Sequence, residues 1–283
     1  MILLGAHMSI GGGIFNAILR GKELGCTTIQ IFTKSANQWK AKEITSEDIE
    51  KFKQVQKETE ITPVVAHDSY LINIGSSDKD LLQKSRESLL VELTRSEKLG
   101  LPYLVMHPGS NPNEKDGIKK ISDSLNWVFS QSAKYKAKIC LETTAGQGNT
   151  LGYRFEQIAQ IMDLVDKKER IGVCYDTSHT SAAGYDIRDK KACANTFKEF
   201  DKIVGLKKIC VIHLNDSKKE LGTRVDRHEH IGKGFIGLEA FKILMNDPNF
   251  EKIPKIIETP RVDEWDKINL KLLRSLVLKN KIS

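Results

Sequence analysis

Short apolar runs alternate with longer amphipathic stretches along the whole chain. The runs are four to six residues long and rich in Val, Ile and Leu, which suits a buried, pleated backbone and predicts strands. They fall at Ile2–Ala6, Thr28–Phe32, Pro63–His67, Tyr103–His107, Lys138–Glu142, Gly172–Asp176, Ile209–His213 and Lys255–Glu258. Between them, apolar positions at helical spacing predict helices over Ile14–Leu24, Ser46–Glu58, Lys79–Leu99, Ile118–Tyr135, Phe155–Val165, Ala192–Val204, Leu238–Met245 and Glu264–Leu278. Thr45 followed by Asp48 marks a capping box at the start of the second helix. Eight strands alternating with eight helices, with no Pro/Gly-rich linker, predict a single (β/α)8 TIM barrel over residues 1–283. The competing layout, an open doubly wound sheet, normally leads with a glycine-rich phosphate loop, and Gly11-Gly12-Gly13 lacks the spacing.

Six of the runs end on a residue that can bind a metal: His67, His107, Glu142, Asp176, His213 and Glu258. In a parallel barrel all strand C-termini open onto one face, so these six converge there. Any one of them alone is most simply a loop-capping or hydrogen-bonding group. Three carboxylates brought together repel one another and either take up protons or bind cations. Imidazoles beside them favour zinc over magnesium, and six such groups exceed what one catalytic zinc takes. His179, three residues beyond Asp176, and the pair Asp226 and His228 lie in loops leaving the same face. Nine candidate ligands suggest up to three zinc sites.

Composition narrows the class only a little. At 283 residues, with 40% hydrophobic and 29% charged residues, the chain has the balance of an ordinary globular protein. Its net charge of +7 leans towards an anionic partner such as nucleic acid, although an excess of this size also serves solubility. The five cysteines include no C-x-x-C pair, and Cys140, Cys174 and Cys210 sit inside apolar runs. That pattern argues against a disulfide framework and for a reducing compartment. Met1–His7 lacks the basic start and long apolar core of a signal peptide, and no run reaches membrane-spanning length. A cytoplasmic protein is expected.

Longer motifs sharpen the picture. Gly5-Ala6-His7-Met8-Ser9, Phe32-Thr33-Lys34, Gln38-Trp39, His67-Asp68-Ser69-Tyr70-Leu71-Ile72-Asn73, His107-Pro108-Gly109-Ser110, Glu142-Thr143-Thr144-Ala145-Gly146-Gln147-Gly148, Asp176-Thr177-Ser178-His179, His213-Leu214-Asn215-Asp216 and Asp226-Arg227-His228 extend over nearly the whole chain. In these motifs the sequence resembles endonuclease IV, the zinc-dependent apurinic/apyrimidinic endonuclease family of base-excision repair. The resemblance implies three zinc ions per chain. His67, His107 and Glu142 would hold one, Glu142 with Asp176, His213 and Glu258 a second, and His179, Asp226 and His228 the third. It implies hydrolysis of the phosphodiester 5′ to an abasic site in duplex DNA, giving a 3′-hydroxyl and a 5′-deoxyribose phosphate. Glu142, Asp176 and Glu258 are the residues expected to matter most for catalysis, and a monomer is expected.

The resemblance also implies that the loops around the mouth grip bent DNA and turn the abasic nucleotide out of the stack, which costs less where no base stacks. Tyr70 and Leu71 are placed to act as wedges; Lys34, Gln38, Trp39, Arg227 and the backbone of Gly11–Gly13 are placed to meet phosphates or the minor groove. Asn37 stands where the family can carry a longer basic side chain. His7 is read as a hydrogen-bonding or DNA-facing residue, His230 as a solvated neighbour, and the Lys119-Lys120, Lys190-Lys191 and Lys207-Lys208 pairs as solvated surface. Two alternatives remain open. A one-metal sugar or sugar-phosphate isomerase or epimerase would use Glu142, Asp176, His213 and Glu258 but leave the other five ligands without a role. A zinc-containing protein that binds DNA damage without cutting it is the other.

Overall fold

A computed structural model describes residues 2–260 and 264–278. Eight parallel strands close into a barrel: β1 (Leu4–Met8), β2 (Ile29–Phe32), β3 (Val64–His67), β4 (Tyr103–Met106), β5 (Lys138–Glu142), β6 (Ile171–Asp176), β7 (Ile209–His213) and, after two strands of two residues each, β8 (Asp216–Ser217) and β9 (His228–Glu229), the closing strand β10 (Lys255–Ile257). Neighbours follow chain order around the ring, and β10 closes it against β1 with Leu4 opposite Lys255. The expected (β/α)8 barrel is therefore the fold.

Strand periodicity divides the core in two. Val65, Val105, Cys140, Cys174, Val211 and Ile256 form a buried layer of their own, while alternate residues such as Val64, Ile139, Leu141, Val173 and Tyr175 belong to the larger core shared with the helices. Two residues beyond each member of the small layer, on the same side of the pleat, come His67, His107, Glu142, Asp176, His213 and Glu258. One period-two pattern thus sets both the apolar plug and the polar ring above it. The fully buried cysteines of β5 and β6 serve as small apolar side chains there, and all five cysteines are free.

Several boundaries differ from those the sequence predicts, for local reasons. β1 lies two residues later than the apolar run Ile2–Ala6 suggests, so His7 is inside it. The helix expected from Ile118 starts at Glu114, because the Asn113 side chain accepts the Asp116 N–H at 3.0 Å and caps it. The capping box of Thr45 and Asp48 forms as expected. His179 was expected in a loop but stands on a seven-residue helix, Thr177–Ala183. Asp176 caps that helix by accepting the His179 N–H at 2.8 Å, and Gly184, in the left-handed region, ends it. Among the described residues no helix is long and apolar enough to cross a membrane.

Candidate metal centre and nucleic-acid interface

Glu142 is the centre of the site. Its carboxylate is fully buried, and nitrogens of four imidazoles surround it: His67 Nε2 at 3.1 Å and His107 Nε2 at 3.2 Å from Oε2, His213 Nδ1 at 3.0 Å and His179 Nδ1 at 3.2 Å from Oε1. Burial pushes this carboxyl up, but the imidazoles of His213 and His107 outweigh it and hold the group well below the usual carboxylate range. Conversely, burial works against a charged His67, yet its hydrogen bond to Glu142 takes the imidazole up to about 9. Glu258 is likewise held well below its ordinary value against burial, with His213 the main cause.

Three sets of ligand atoms gather closely enough to share an ion. They are His67, His107 and Glu142; Glu142, Asp176, His213 and Glu258; and Asp176, His179 and His228, each set lying within 4.8 Å. Asp226 sits beside the last set, with Oδ1 3.2 Å from His179 Nε2 and 3.6 Å from His228 Nε2. All nine residues singled out in the sequence are therefore brought together, with Asp176 common to two sets as Glu142 is. Asn215 ties two of the carboxylate residues: its amide donates to Asp176 Oδ2 at 2.7 Å, and its oxygen accepts the Glu258 N–H at 2.7 Å.

The lone pairs decide what this arrangement can do. Nδ1 of His67, His179 and His228 each faces a backbone carbonyl, of Asp68, Thr143 and Glu258, at 2.9, 2.9 and 3.0 Å. A carbonyl only accepts, so each Nδ1 carries a proton, and Nε2 is the atom left to bind an ion once it has given up its own. Nε2 of His179 and Nε2 of His228 then point at each other across 3.3 Å. The carboxylates of Asp176 and Asp226 hold His179 above its ordinary value against burial, so in the metal-free protein its proton fills this place, and a metal ion can replace it.

Comparisons with known proteins give the family. Residues 18–276 match the family described as xylose isomerase-like TIM barrel. "Probable endonuclease 4" of Geotalea daltonii is 49% identical over 278 residues, covering 97% of this chain and 98% of that protein. The chain belongs to the endonuclease IV family. The crystal structure of endonuclease IV from Thermus thermophilus superposes with a TM-score of 0.88 at 34% identity, over 96% of this chain and 98% of that one. A D-tagatose 3-epimerase-like protein, at 18% identity and a TM-score of 0.72 over 96% of each chain, shares the fold alone. As a member of the endonuclease IV family, this protein is a nuclease.

The residues picked out for DNA contact are less uniformly placed. Tyr70 is 67% exposed at the rim, its ring edge-on to Phe32 at 5.4 Å, and Leu71 beside it is half-buried. Asn37, Gln38 and Arg227 are exposed, while Trp39 is half-buried with the Lys84 ammonium 4.4 Å from its ring centroid. Lys34 differs from the free cation expected: it is 4% exposed, 3.2 Å from Glu92 Oε1, and donates to the Gln38 carbonyl at 2.7 Å. A cavity of about 400 Å³ opens between Phe32, Lys34, Tyr70 and Glu258.

Of two further histidines, His7 meets its expected role and His230 does not. His7 does turn to hydrogen bonding, with Nδ1 3.2 Å from Glu258 Oε1 and 3.0 Å from Gln30 Nε2. His230 is not solvated: it is buried, stacked on Trp265 at 4.0 Å, with Nδ1 3.2 Å from the Asn269 amide. Asp216 has a role beyond membership of a motif. Its carboxylate accepts N–H groups of Ser217, Gly232, Gly234 and Ile236 at 2.8–3.1 Å, gathering the ends of the segment that carries Asp226 and His228. A side chain at Gly234 would meet the Ser217 carbonyl at 2.3 Å, so close an approach requires glycine. Asp216→Ala strands four donors, two of them in fully buried bonds, and is expected to cost about 3 kcal/mol in stability while lowering metal content at His228, read by urea unfolding and elemental analysis.

Proposed function

We propose that this nuclease hydrolyses the phosphodiester 5′ to an abasic site in duplex DNA, leaving a 3′-hydroxyl and a 5′-deoxyribose phosphate, with three zinc ions held by the nine residues of the mouth. The whole chain acts as one barrel domain and as a monomer in the cytoplasm. The three close-set groups of ligand atoms at the mouth carry this reading, because buried carboxylates shared between imidazole sets suit cations held between them. The donor set fits zinc: five imidazoles and four carboxylates, soft enough to favour it over magnesium and crowded enough to need more than one ion.

His67, His107 and Glu142 would hold one ion, Glu142, Asp176, His213 and Glu258 a second, and His179, Asp226 and His228 the third, with Asp176 near enough to join it. When bound, zinc supplies Lewis acidity towards the phosphate and brings water within reach of ionisation near neutral pH. The protein's own part is to fix spacing. Of the two carboxylates common to two ligand sets, Asp176 is held by the buried Thr143 hydroxyl and Asn215 amide, and Glu142 by the four imidazoles around it. Tyr70 and Leu71 act as wedges where a base is missing, and Gln38, Trp39 and Arg227 meet the backbone around them. Lys34 serves DNA binding indirectly, by holding the Gln38 loop to the barrel.

The direct test is elemental analysis of the purified protein together with cleavage of an abasic duplex. Three zinc equivalents and a single cut 5′ to the lesion are expected, with the intact duplex left whole. Tight binding to an uncut strand rejects hydrolysis, and one ion per chain with turnover of a ketose supports the isomerase instead.

Zinc uptake is also expected to release protons. Ligands must be neutral imidazoles, whereas His67 in the metal-free protein keeps its proton up to about 9. Affinity should therefore climb as pH rises from about 6 towards 9, and the apparent binding enthalpy should vary with buffer ionisation enthalpy in calorimetry. An enthalpy identical in every buffer would contradict this.

A further inference from the structure

We propose that Gln30 is a positioning residue of the metal centre: its side-chain amide sets Nδ1 as the ligating atom of His213 and turns one oxygen of Glu258 inward. The inference deepens the metal reading above and rests on it. In β2, Gln30 lies opposite Val65 and so occupies the apolar layer where six other strands place Val, Cys or Ile. It is fully buried. A polar side chain at such a position is costly unless every polar atom finds a partner, and here both ends do. Oε1 is 2.8 Å from His213 Nε2, while Nε2 is 2.6 Å from Glu258 Oε1 and 3.0 Å from His7 Nδ1.

The direction of the amide follows from its partners. Ionised Glu258 only accepts, so the group facing it is the NH2, and the carbonyl is left for His213. His213 Nε2 must then carry the ring proton. As a metal ligand the ring must be neutral, and its lone pair is then on Nδ1, which lies 3.0 Å from Glu142 Oε1 and 3.1 Å from Glu258 Oε2, inside the ligand set. Turning the amide over would face its NH2 with the Nε2–H and require the proton to move to Nδ1, closing the ligating face. Glu258 is divided in the same way, with Oε1 occupied by Gln30 and His7 and Oε2 turned inward.

What sets Gln30 apart is the kind of anchor it provides. His67, His179 and His228 rest on backbone carbonyls, which no substitution removes. His213 rests on a side chain. Position 30 is therefore a place where a change outside the ligands can alter which nitrogen binds.

Cobalt(II) titration of the metal-free protein, followed by visible absorption, tests this. The wild type is expected to load three equivalents. Gln30→Leu keeps the volume but removes the hydrogen bonds. It should weaken one equivalent by about 10–100-fold and change its absorption, leaving the other two intact. Gln30→Glu keeps an acceptor for His213 Nε2 and should regain part of that loss. If Gln30→Leu does not fold, nitrogen-15 NMR of the zinc-loaded wild type decides, since an Nε2–H tautomer at His213 is expected and an Nδ1–H tautomer overturns the proposal. A Gln30→Leu protein that loads three ions with wild-type affinity and spectrum overturns the role of Gln30 alone. A wild type that binds no ion at His213 overturns the metal reading and this inference with it.

Discussion

Glu142→Gln should reduce cleavage of an abasic duplex by more than about a thousand-fold, beyond the ~10²–10³ typical of removing one electrostatic contact. The reason is the number of roles that meet at this carboxylate. It stands in two of the three ligand sets and within 3.2 Å of four imidazoles. Glutamine keeps the shape but is neutral, and its NH2 would face imidazole nitrogens that need an acceptor or an ion. Two metal positions should therefore empty together rather than one. Elemental analysis and single-turnover cleavage measure the two effects, and near-wild-type turnover with full metal content would remove Glu142 from the centre. Circular dichroism is expected to stay native, because the apolar layer below is untouched.

Lys34→Met is expected to cost about 3–5 kcal/mol, the range for leaving one partner of a buried ion pair uncompensated. Lys34 and Glu92 have side chains only 3% and 1% exposed. Burial already pushes the Glu92 carboxyl up against the lysine beside it, so removing the cation leaves a charge that the interior cannot solvate. The damage should not stop at stability. Lys34 holds the Gln38 carbonyl, Glu92 accepts the Ser69 N–H at 3.1 Å, and Ser69 Oγ donates to the Ala36 carbonyl at 2.6 Å. One buried pair thus anchors both the Gln38 segment and the turn before Tyr70. Urea unfolding should show the loss, and weaker duplex binding should accompany it. Adding Glu92→Leu to Lys34→Met should recover most of the stability but not the binding, which separates burial of charge from loop placement.

The barrel and its ring of ligands were legible because both come from one repeat. A period-two apolar run ending in His, Asp or Glu states at once where a strand lies, which face is interior and where the chain meets the mouth. The short helix after Asp176 was not legible, because its cap is Asp176 itself, whose carboxylate suggests chemistry before it suggests a helix start. Lys34 misled for a related reason: a lysine beside a loop reads as surface unless its partner is known, and Glu92 is 58 positions away. His230 looked solvated because Trp265 and Asn269, which bury it, come from the last helix of the barrel, Trp265–Ser275. Gln30 did leave a signal. It is polar at the position in its strand where the comparable strands place Val, Cys or Ile, and that exception becomes visible once the runs are aligned by their interior layer.

The three imidazoles whose Nδ1 atoms lean on backbone carbonyls carry a consequence for sequence drift. Every amino acid offers the same carbonyl, so residue 68 or 143 can change type without turning the ring it supports, provided the chain keeps its path. The aim of those ligands is inherited from the course of the backbone rather than from the side chains beside them. A centre built this way tolerates wide variation in its surroundings, which suits a fold that superposes at a TM-score of 0.88 while only 34% of residues agree.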